Sequence, residues 1–214
     1  LSGNKISVVG AAALAQNTSW PNLASLCISW NKLGEEGAAA LSENKTWTNL
    51  KTLDVSGNLI CNDGAIALSR NKSWVSLIVL HLYGNNISNR GAEALSKNSS
   101  WPKLESLNLS ENKITADGAG ALGQNDSWKN LKMFNLSWNK IGPEGVSKLA
   151  SNTSWRNLAS LNLSGTKING EGANALTNNN SWSKLLTLDL SLNEISEEVK
   201  TALTRKWPAI EISY

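Results

Sequence analysis

Residues able to do nucleophilic chemistry fall at equal intervals: Cys27, Asp54 and His81 follow one another every 27 residues. A thiol, a carboxylate and an imidazole in mutual reach form a Cys–His–Asp set, in which the imidazole takes the thiol proton and the carboxylate orients the imidazole. The equal spacing argues against such a set here. Residues one period apart occupy the same position in successive units of a repeating fold, so Asp54 stands between Cys27 and His81. The outer two are then roughly 10 Å apart, two strand spacings. An open row of this kind neither excludes water nor supplies an oxyanion hole. With one His and two Cys in the chain, a metal site of the usual His or Cys type is not expected either. The glycines recur singly rather than in a loop that would cradle phosphate. The expectation is a non-enzymatic chain with no cofactor and no metal.

Charge offers a second chemistry. Lys5, Lys32, Lys113, Lys140 and Lys167 share one column of the repeat, a ladder that could attract an acidic partner. Glu194 joins the same column and acidic residues lie close by in each unit, so local neutralisation is the expected fate of these charges. Nucleic acid is not an expected partner, because basic residues interleaved with exposed aromatics are absent from the strand positions identified below. N-x-S/T triplets recur at Asn17, Asn44, Asn71, Asn98, Asn125, Asn152 and Asn179, and again at Asn86, Asn108, Asn135 and Asn162. Most follow from the repeat itself rather than from selection as glycan acceptors.

The elements that position these residues are set by the period. Trp20, Trp47, Trp74, Trp101, Trp128, Trp155 and Trp182 are 27 residues apart, and Trp207 follows after 25. Aligned on Trp, each unit reads W-x-x-L-x-x-L-x-L-x-x-N-x-I-x-x-x-G-A-x-A-L-x-x-N-x-S. Internal repetition of this length marks a solenoid. Leu107 and Leu109 alternate with Ser106, Asn108 and Ser110, as in a strand with one buried face. Ile114, Gly118, Ala121 and Leu122 fall at helical spacing. The residue after each consensus Ile is an N-cap type in every unit but the one with Cys61, and carboxylates such as Glu36, Asp63 and Glu144 follow in the first turn. Pro143 suits a first helical position. Asn17 and its six equivalents, at the helix ends, are expected in the left-handed conformation that closes a helix.

The run L-x-x-L-x-L-x-x-N-x-I, followed by G-A-x-A-L, resembles the leucine-rich repeat family, and within it the ribonuclease-inhibitor-like class and the bacterial Gly-Ala-Leu-Ala repeats. The resemblance covers essentially all 214 residues. It implies an α/β solenoid of about eight 27-residue units, curved like a horseshoe, with a parallel concave sheet and convex helices. Strands about 4.8 Å apart backed by helices that need about 8 to 10 Å give the same curvature on physical grounds. Asn4, Asn31, Asn58, Asn85, Asn112, Asn139 and Asn193 would form a buried ladder between coils, with Thr166 as its one exception and the site of a local irregularity. The Trp column is expected to fill the gap between layers, each indole N–H on a backbone carbonyl.

One domain is expected over residues 1–214, with repeats over 1–195 and a polar C-terminal cap over 196–214. The chain opens inside a repeat at Leu1 and its only Met is Met133, so an N-terminal cap or a further domain is expected to precede it. Composition is that of a folded chain: 41% apolar, 17% charged, net charge +3. No membrane insertion is expected.

The strand columns that face the concave side are small and polar, and the departures from that rule mark a partner site. Val79, His81 and Tyr83 break all three columns in one unit. Met133 and Trp138 form a second apolar group two units on. Trp30, Asp54, Glu111, Asp189 and Leu192 surround them. Trp30 and Trp138 stand in a column otherwise occupied by Gly57, Gly84, Glu111, Gly165 and Leu192, where no packing rule calls for a large ring. These residues predict a monomeric module that binds a protein partner on its concave face, cytoplasmic or secreted into a host cell as an effector. Two alternatives are a crescent that activates a GTPase, as in the similar Ran GTPase-activating proteins, and a sensor or autoinhibitory array of a larger multidomain protein. No Arg stands out on the concave side for the first of these.

Overall fold

A computed structural model describes all residues, 1–214. Each unit contributes one three-residue strand and one helix of eight to ten residues. The order is α1 (Val8–Gln16), β1 (Ser25–Cys27), α2 (Gly34–Ser42), β2 (Thr52–Asp54), α3 (Cys61–Arg70), β3 (Val79–His81), α4 (Asn89–Ser96) and β4 (Ser106–Asn108). It continues with α5 (Ala116–Gly123), β5 (Met133–Asn135), α6 (Gly142–Ala150), β6 (Ser160–Asn162), α7 (Gly170–Thr177), β7 (Thr187–Asp189), α8 (Glu197–Lys206) and β8 (Glu211–Ser213). The strands form one parallel sheet in sequence order. Its register joins equivalent residues of successive units, Leu53 to Leu80 and Leu80 to Leu107 among them. The chain is an α/β repeat solenoid. A single apolar cluster runs between sheet and helices from Ala11 to Leu203.

Three residues of strand cannot hold a sheet together by themselves, and asparagine side chains complete the joint between coils. Asn58 is fully buried. Its Nδ2 donates to Ile28 O, Val55 O and Ser56 O, each at 3.0 Å. Its Oδ1 accepts from Asn31 N at 3.2 Å and Leu33 N at 3.4 Å, in the preceding coil. The same pattern recurs at Asn31, Asn85, Asn112, Asn139 and Asn193. At Thr166 it fails: Oγ1 donates to Leu163 O in its own coil and reaches no other. The strand register nonetheless passes unbroken from β5 through β6 to β7. The expected irregularity is therefore one of hydrogen bonding alone.

The helix-end asparagines correct the sequence reading. Asn17 and Asn71 are extended, with φ of −71° and −66°, not left-handed. Their column forms a second ladder on the opposite edge of the coil. Asn71 Nδ2 donates to Ser42 O (2.6 Å) and Asn44 O (3.0 Å) of the preceding coil, while its Oδ1 accepts from Ser73 N and Trp74 N. Six members of this column, Asn44 to Asn179, are buried. The N-x-S/T triplets there coincide with an Asx turn, in which the Asn Oδ1 accepts the backbone N–H two positions on.

The tryptophan seam is present, with two differences from expectation. Trp47, Trp74, Trp101, Trp128, Trp155 and Trp182 are buried, whereas Trp20 is 40% exposed. Their indole N–H groups have no partner. The ring is located through its backbone instead: Asn Oδ1 accepts the N–H of Trp47, Trp74, Trp128, Trp155 and Trp182, and each Trp carbonyl accepts from the Leu three residues on. Burying an indole, about 150–250 Å² at roughly 25 cal/mol per Å², contributes about 4–6 kcal/mol. That exceeds the roughly 1–3 kcal/mol an unpaired donor costs.

Helix starts also differ from a simple capping rule. Only Asn169 caps its own helix, accepting from Glu171 N and Gly172 N. Ser7, Ser88, Thr115 and Ser196 occupy the N-cap position without a side-chain cap bond, and Gly34, Cys61 and Gly142 fall inside their helices. For two helices the preceding coil supplies the acceptor. Asn62 Oδ1 takes Ser88 N and Gly91 N, and Asn89 Oδ1 takes Thr115 N. Pro143 does lie in the first turn of α6. At the C-terminal end, β8 pairs with β7, and Tyr214 closes on α8 by donating its hydroxyl to Lys200 O.

The ladders predict opposite effects at two positions. Asn58→Ala should cost at least about 3 kcal/mol, because it strips partners from several buried backbone groups. Thr166→Asn should restore the missing bonds and gain about 1 kcal/mol. Urea denaturation followed by circular dichroism measures both, and a Thr166→Asn midpoint at or below that of the natural chain would contradict the ladder as the joint between coils.

Candidate functional site

Side chains in the second concave column are fastened by their own strands. Oδ1 of Asp54, Asn108, Asn135, Asn162 and Asp189 each accepts the N–H of the Ser two residues on. Asp54 and Asp189 therefore share a local role with asparagine, and Asp189 Oδ2 also accepts from Asn162 Nδ2 at 2.9 Å. The third column is not the open polar surface expected from sequence: Ser29, Ser56, Ser110, Ser137 and Ser164 are buried beneath the turn that follows each strand. In β3 and just beyond it, His81 replaces the fastening residue and Tyr83 the buried Ser. A phenol therefore emerges where other coils are closed over.

The residue after the third column is left-handed in every coil. Gly57, Gly84 and Gly165 have φ of 61–63°, and Trp30, Glu111, Trp138 and Leu192 take 50–57° at the equivalent position. This region is costly for a residue with a side chain, by about 1–2 kcal/mol. The turn of the repeat imposes this step in every coil, so each of these four side chains carries that cost. Leu59 (φ 55°), two residues past Gly57, is equally strained and 65% exposed. Sequence reasoning missed Leu59. Leu59 stands in the lysine column, where Lys5, Asn86 and Lys167 are left-handed too, with φ of 57–63°, and no recurrent Gly there signals it.

Trp30 and Trp138 do have a packing role, contrary to the sequence reading. Trp30 lies so close over Gly57 that a Cβ there would sit 2.6 Å from its Cε3. Trp138 covers Gly165 in the same way, with 3.2 Å to Cδ2. Each ring is still more than half exposed, at 60% and 56%.

These contacts gather part of the predicted set. Trp30 meets Tyr83 edge to face, with ring centroids 5.7 Å apart. Glu111 stands next to Tyr83, and the pull of its carboxylate on the phenol proton, together with burial, holds the phenol above its ordinary pKa of 10.0. Asp54 pairs in register with His81, and Val79 opens the same strand. Met133 and Trp138 do not join into one group. Met133 opens β5 at 52% exposure, whereas Trp138 lies beyond the strand's far end against Gly165. Asp189 and Leu192 lie in the last full coil, away from Tyr83.

The possible nucleophilic set has the geometry the period implied. Cys27 pairs in register with Asp54, and Asp54 with His81. Asp54 thus separates the thiol from the imidazole. The second thiol, Cys61, is raised above its ordinary pKa by burial and then by Glu35. No three His, Cys, Asp or Glu side chains gather where they could hold a metal ion. Arg70, Arg90 and Arg205 lie on or at the ends of helices and Arg156 in an outer turn, none on the sheet.

Comparison with known proteins turns on the repeat. The family model described as Leucine Rich repeat matches seven times, at residues 21–42, 48–69, 75–96, 102–123, 129–150, 156–176 and 183–198. The chain belongs to the leucine-rich repeat family. Among solved structures, this leucine-rich repeat chain is similar to an internalin (inlF) from Listeria monocytogenes, with 21% identity and a TM-score of 0.63 over 94% of this chain and 49% of that one. It is also similar to internalin C2 (inlC2) of the same organism, with 21% identity and a TM-score of 0.62 over 94% of this chain and 74% of that one. The chain thus spans about half the length of the first of these. Identity at this level shows the fold alone. Comparison with curated proteins gives no match. No helix is long and apolar enough to cross a membrane.

Tyr83 supplies a test of the local chemistry. With the folded pKa raised, its contribution to stability is complete below pH 10 and is lost as pH rises through the folded value. Glu111→Gln should lower the midpoint of the phenolate absorbance change that Tyr83→Phe removes. An unchanged midpoint would separate Glu111 from Tyr83.

Proposed function

We propose that this leucine-rich repeat chain is a non-enzymatic module that binds a protein partner on its concave face. The observation that carries the reading is the break in an otherwise uniform sheet. Six coils close the third column with a small residue, whereas the coil of β3 presents Val79, His81 and Tyr83 together, with Trp30 and Glu111 packed beside the phenol. Of these residues only Trp30 has a packing role in the array, over Gly57. Tyr and Trp on a preformed surface are the residue types that anchor protein interfaces, because they present large contact area with few torsions to freeze. Repeat domains generally act through their inner surface, which a solenoid keeps long and stiff.

Trp138, Met133, Asp54, Asp189 and Leu192 extend this surface toward the C-terminal coils. A role in contact with a host cell rests on the resemblance to the bacterial Gly-Ala-Leu-Ala repeats, as fold-level analogy. Activation of a GTPase has no Arg on the sheet to support it, and a GTPase hydrolysis assay with added chain should show no stimulation.

Tyr83→Ala should weaken partner binding by roughly 2 kcal/mol or more while the circular dichroism spectrum is retained, and Trp138→Ala by a comparable amount. Titration calorimetry with a captured partner makes the measurement. Equal affinity in the double variant would remove the concave face from the interface.

A further inference from the structure

We infer that the rim of the solenoid around Trp138 is a docking strip for a short acidic segment of a protein, which lays carboxylates along Lys113, Lys140 and Lys167. The three lysines occupy one position in successive coils, on the turn that leaves the sheet, and all are exposed. Backbone hydrogen bonds from Lys113 N to Ile87 O and from Lys140 N to Ile114 O fasten this turn to the coil before it. The stems of Lys113 and Lys140 are therefore rooted one strand spacing apart, about 4.8 Å, while Lys167 takes a left-handed backbone (φ 62°) in the next coil.

The local neutralisation expected from sequence is absent. The ion pairs of the chain join Arg90 to Asp63, Lys97 to Glu93, Lys132 to Glu105, Lys148 to Asp117 and Glu144, and Lys200 to Glu197. None includes a lysine of the strip. The nearby helix carboxylates of Asp117 and Glu144 are both taken by Lys148. Three unpaired cations side by side repel one another, and a row of carboxylates relieves that repulsion.

Trp138 adds the apolar component. It is separated from Lys140 only by Asn139, whose side chain points into the ladder, and its ring is held against Gly165 at a backbone angle that favours glycine. The strip is also bounded. Asn86 occupies the lysine position in the coil before Lys113, and Glu194 in the coil after Lys167. A long uniform polyanion such as nucleic acid would run onto Glu194 at one end, and it would find one aromatic ring rather than a stacking series. A segment with about three carboxylates and an apolar side chain for Trp138 fits within the bounds.

Fluorescence anisotropy of the full chain with labelled Gly-Glu-Leu-Glu-Leu-Glu-Gly tests the assignment. Replacing Glu by Gln in the peptide should weaken binding at least tenfold, as should Lys140→Glu or Trp138→Ala. Lys167→Glu gives the same reading should Lys140→Glu fail to fold. Lys72→Glu makes the same charge change on the opposite edge of the coil and should leave binding unchanged. An equal loss in Lys72→Glu, indifference to the peptide's charge, or tighter binding of a single-stranded oligonucleotide of twelve nucleotides would overturn the proposal. Loss in Tyr83→Ala equal to that in Lys140→Glu would move the peptide to the concave face and overturn it as well.

Discussion

Everything in this molecule depends on how a coil with so little secondary structure satisfies its backbone against the next one. Three-residue strands pair only a few peptide groups, and the turns on either side carry donors and acceptors into the interior, where an unpaired group costs more than a hydrogen bond returns. Asparagine resolves this at both edges of the coil. On one edge Asn58 and its equivalents bridge the turn after the strand, and on the other Asn71 and its equivalents bridge the turn before it. The apolar cluster and the tryptophan seam can be continuous because these ladders remove polar demand from the interior. Most of the holding bonds run from one coil to the next, so stability is additive along the array.

That arrangement explains why the functional surface lies where it does. Leu, Ile, Trp and Asn positions are committed to packing and to the ladders. Side chains on the sheet face and on the turn after it are free of both duties, as long as the turn can take its left-handed step. Trp30, Glu111, Trp138 and Leu192 occupy that step despite its strain, and Tyr83 rises beside it. Variation in this chain is concentrated where variation does not threaten the coil.

Much of this was legible in the sequence, because period and residue type are one-dimensional properties. The Trp spacing, the Leu alternation and the Asn column led directly to strands, helices and their order. The positions of the Asn58 ladder and of Trp47 to Trp182 followed as well. Conformation was harder to read. Asn at a helix end is compatible with a left-handed closure or an Asx turn, and only the hydrogen bonds of Asn71 with the neighbouring coil decide between them. Capping was misread for a related reason, since the acceptor for Ser88 N belongs to Asn62, a unit away. The surface was legible only in part. The break at Val79, His81 and Tyr83 could be seen, but the burial of the serine column, the separation of Met133 from Trp138 and the absence of partners for Lys113 and Lys140 depend on directions that side chains take in space.

The packing of Trp30 on Gly57, and of Trp138 on Gly165, bears on how such an array can change in length. Repeat proteins gain and lose whole units, and most unit boundaries here are interchangeable because neighbouring coils present equivalent surfaces. These two are not. Deleting the coil that carries Gly165 would bring Trp138 against Leu192, and inserting a coil with Glu at that position would thrust a Cβ into the ring. Each tryptophan thus requires glycine in the unit that follows it. Gly84 could take the place of Gly57 beneath Trp30, whereas Leu192 could not take that of Gly165 beneath Trp138, so the coil of Gly165 cannot be lost without that of Trp138.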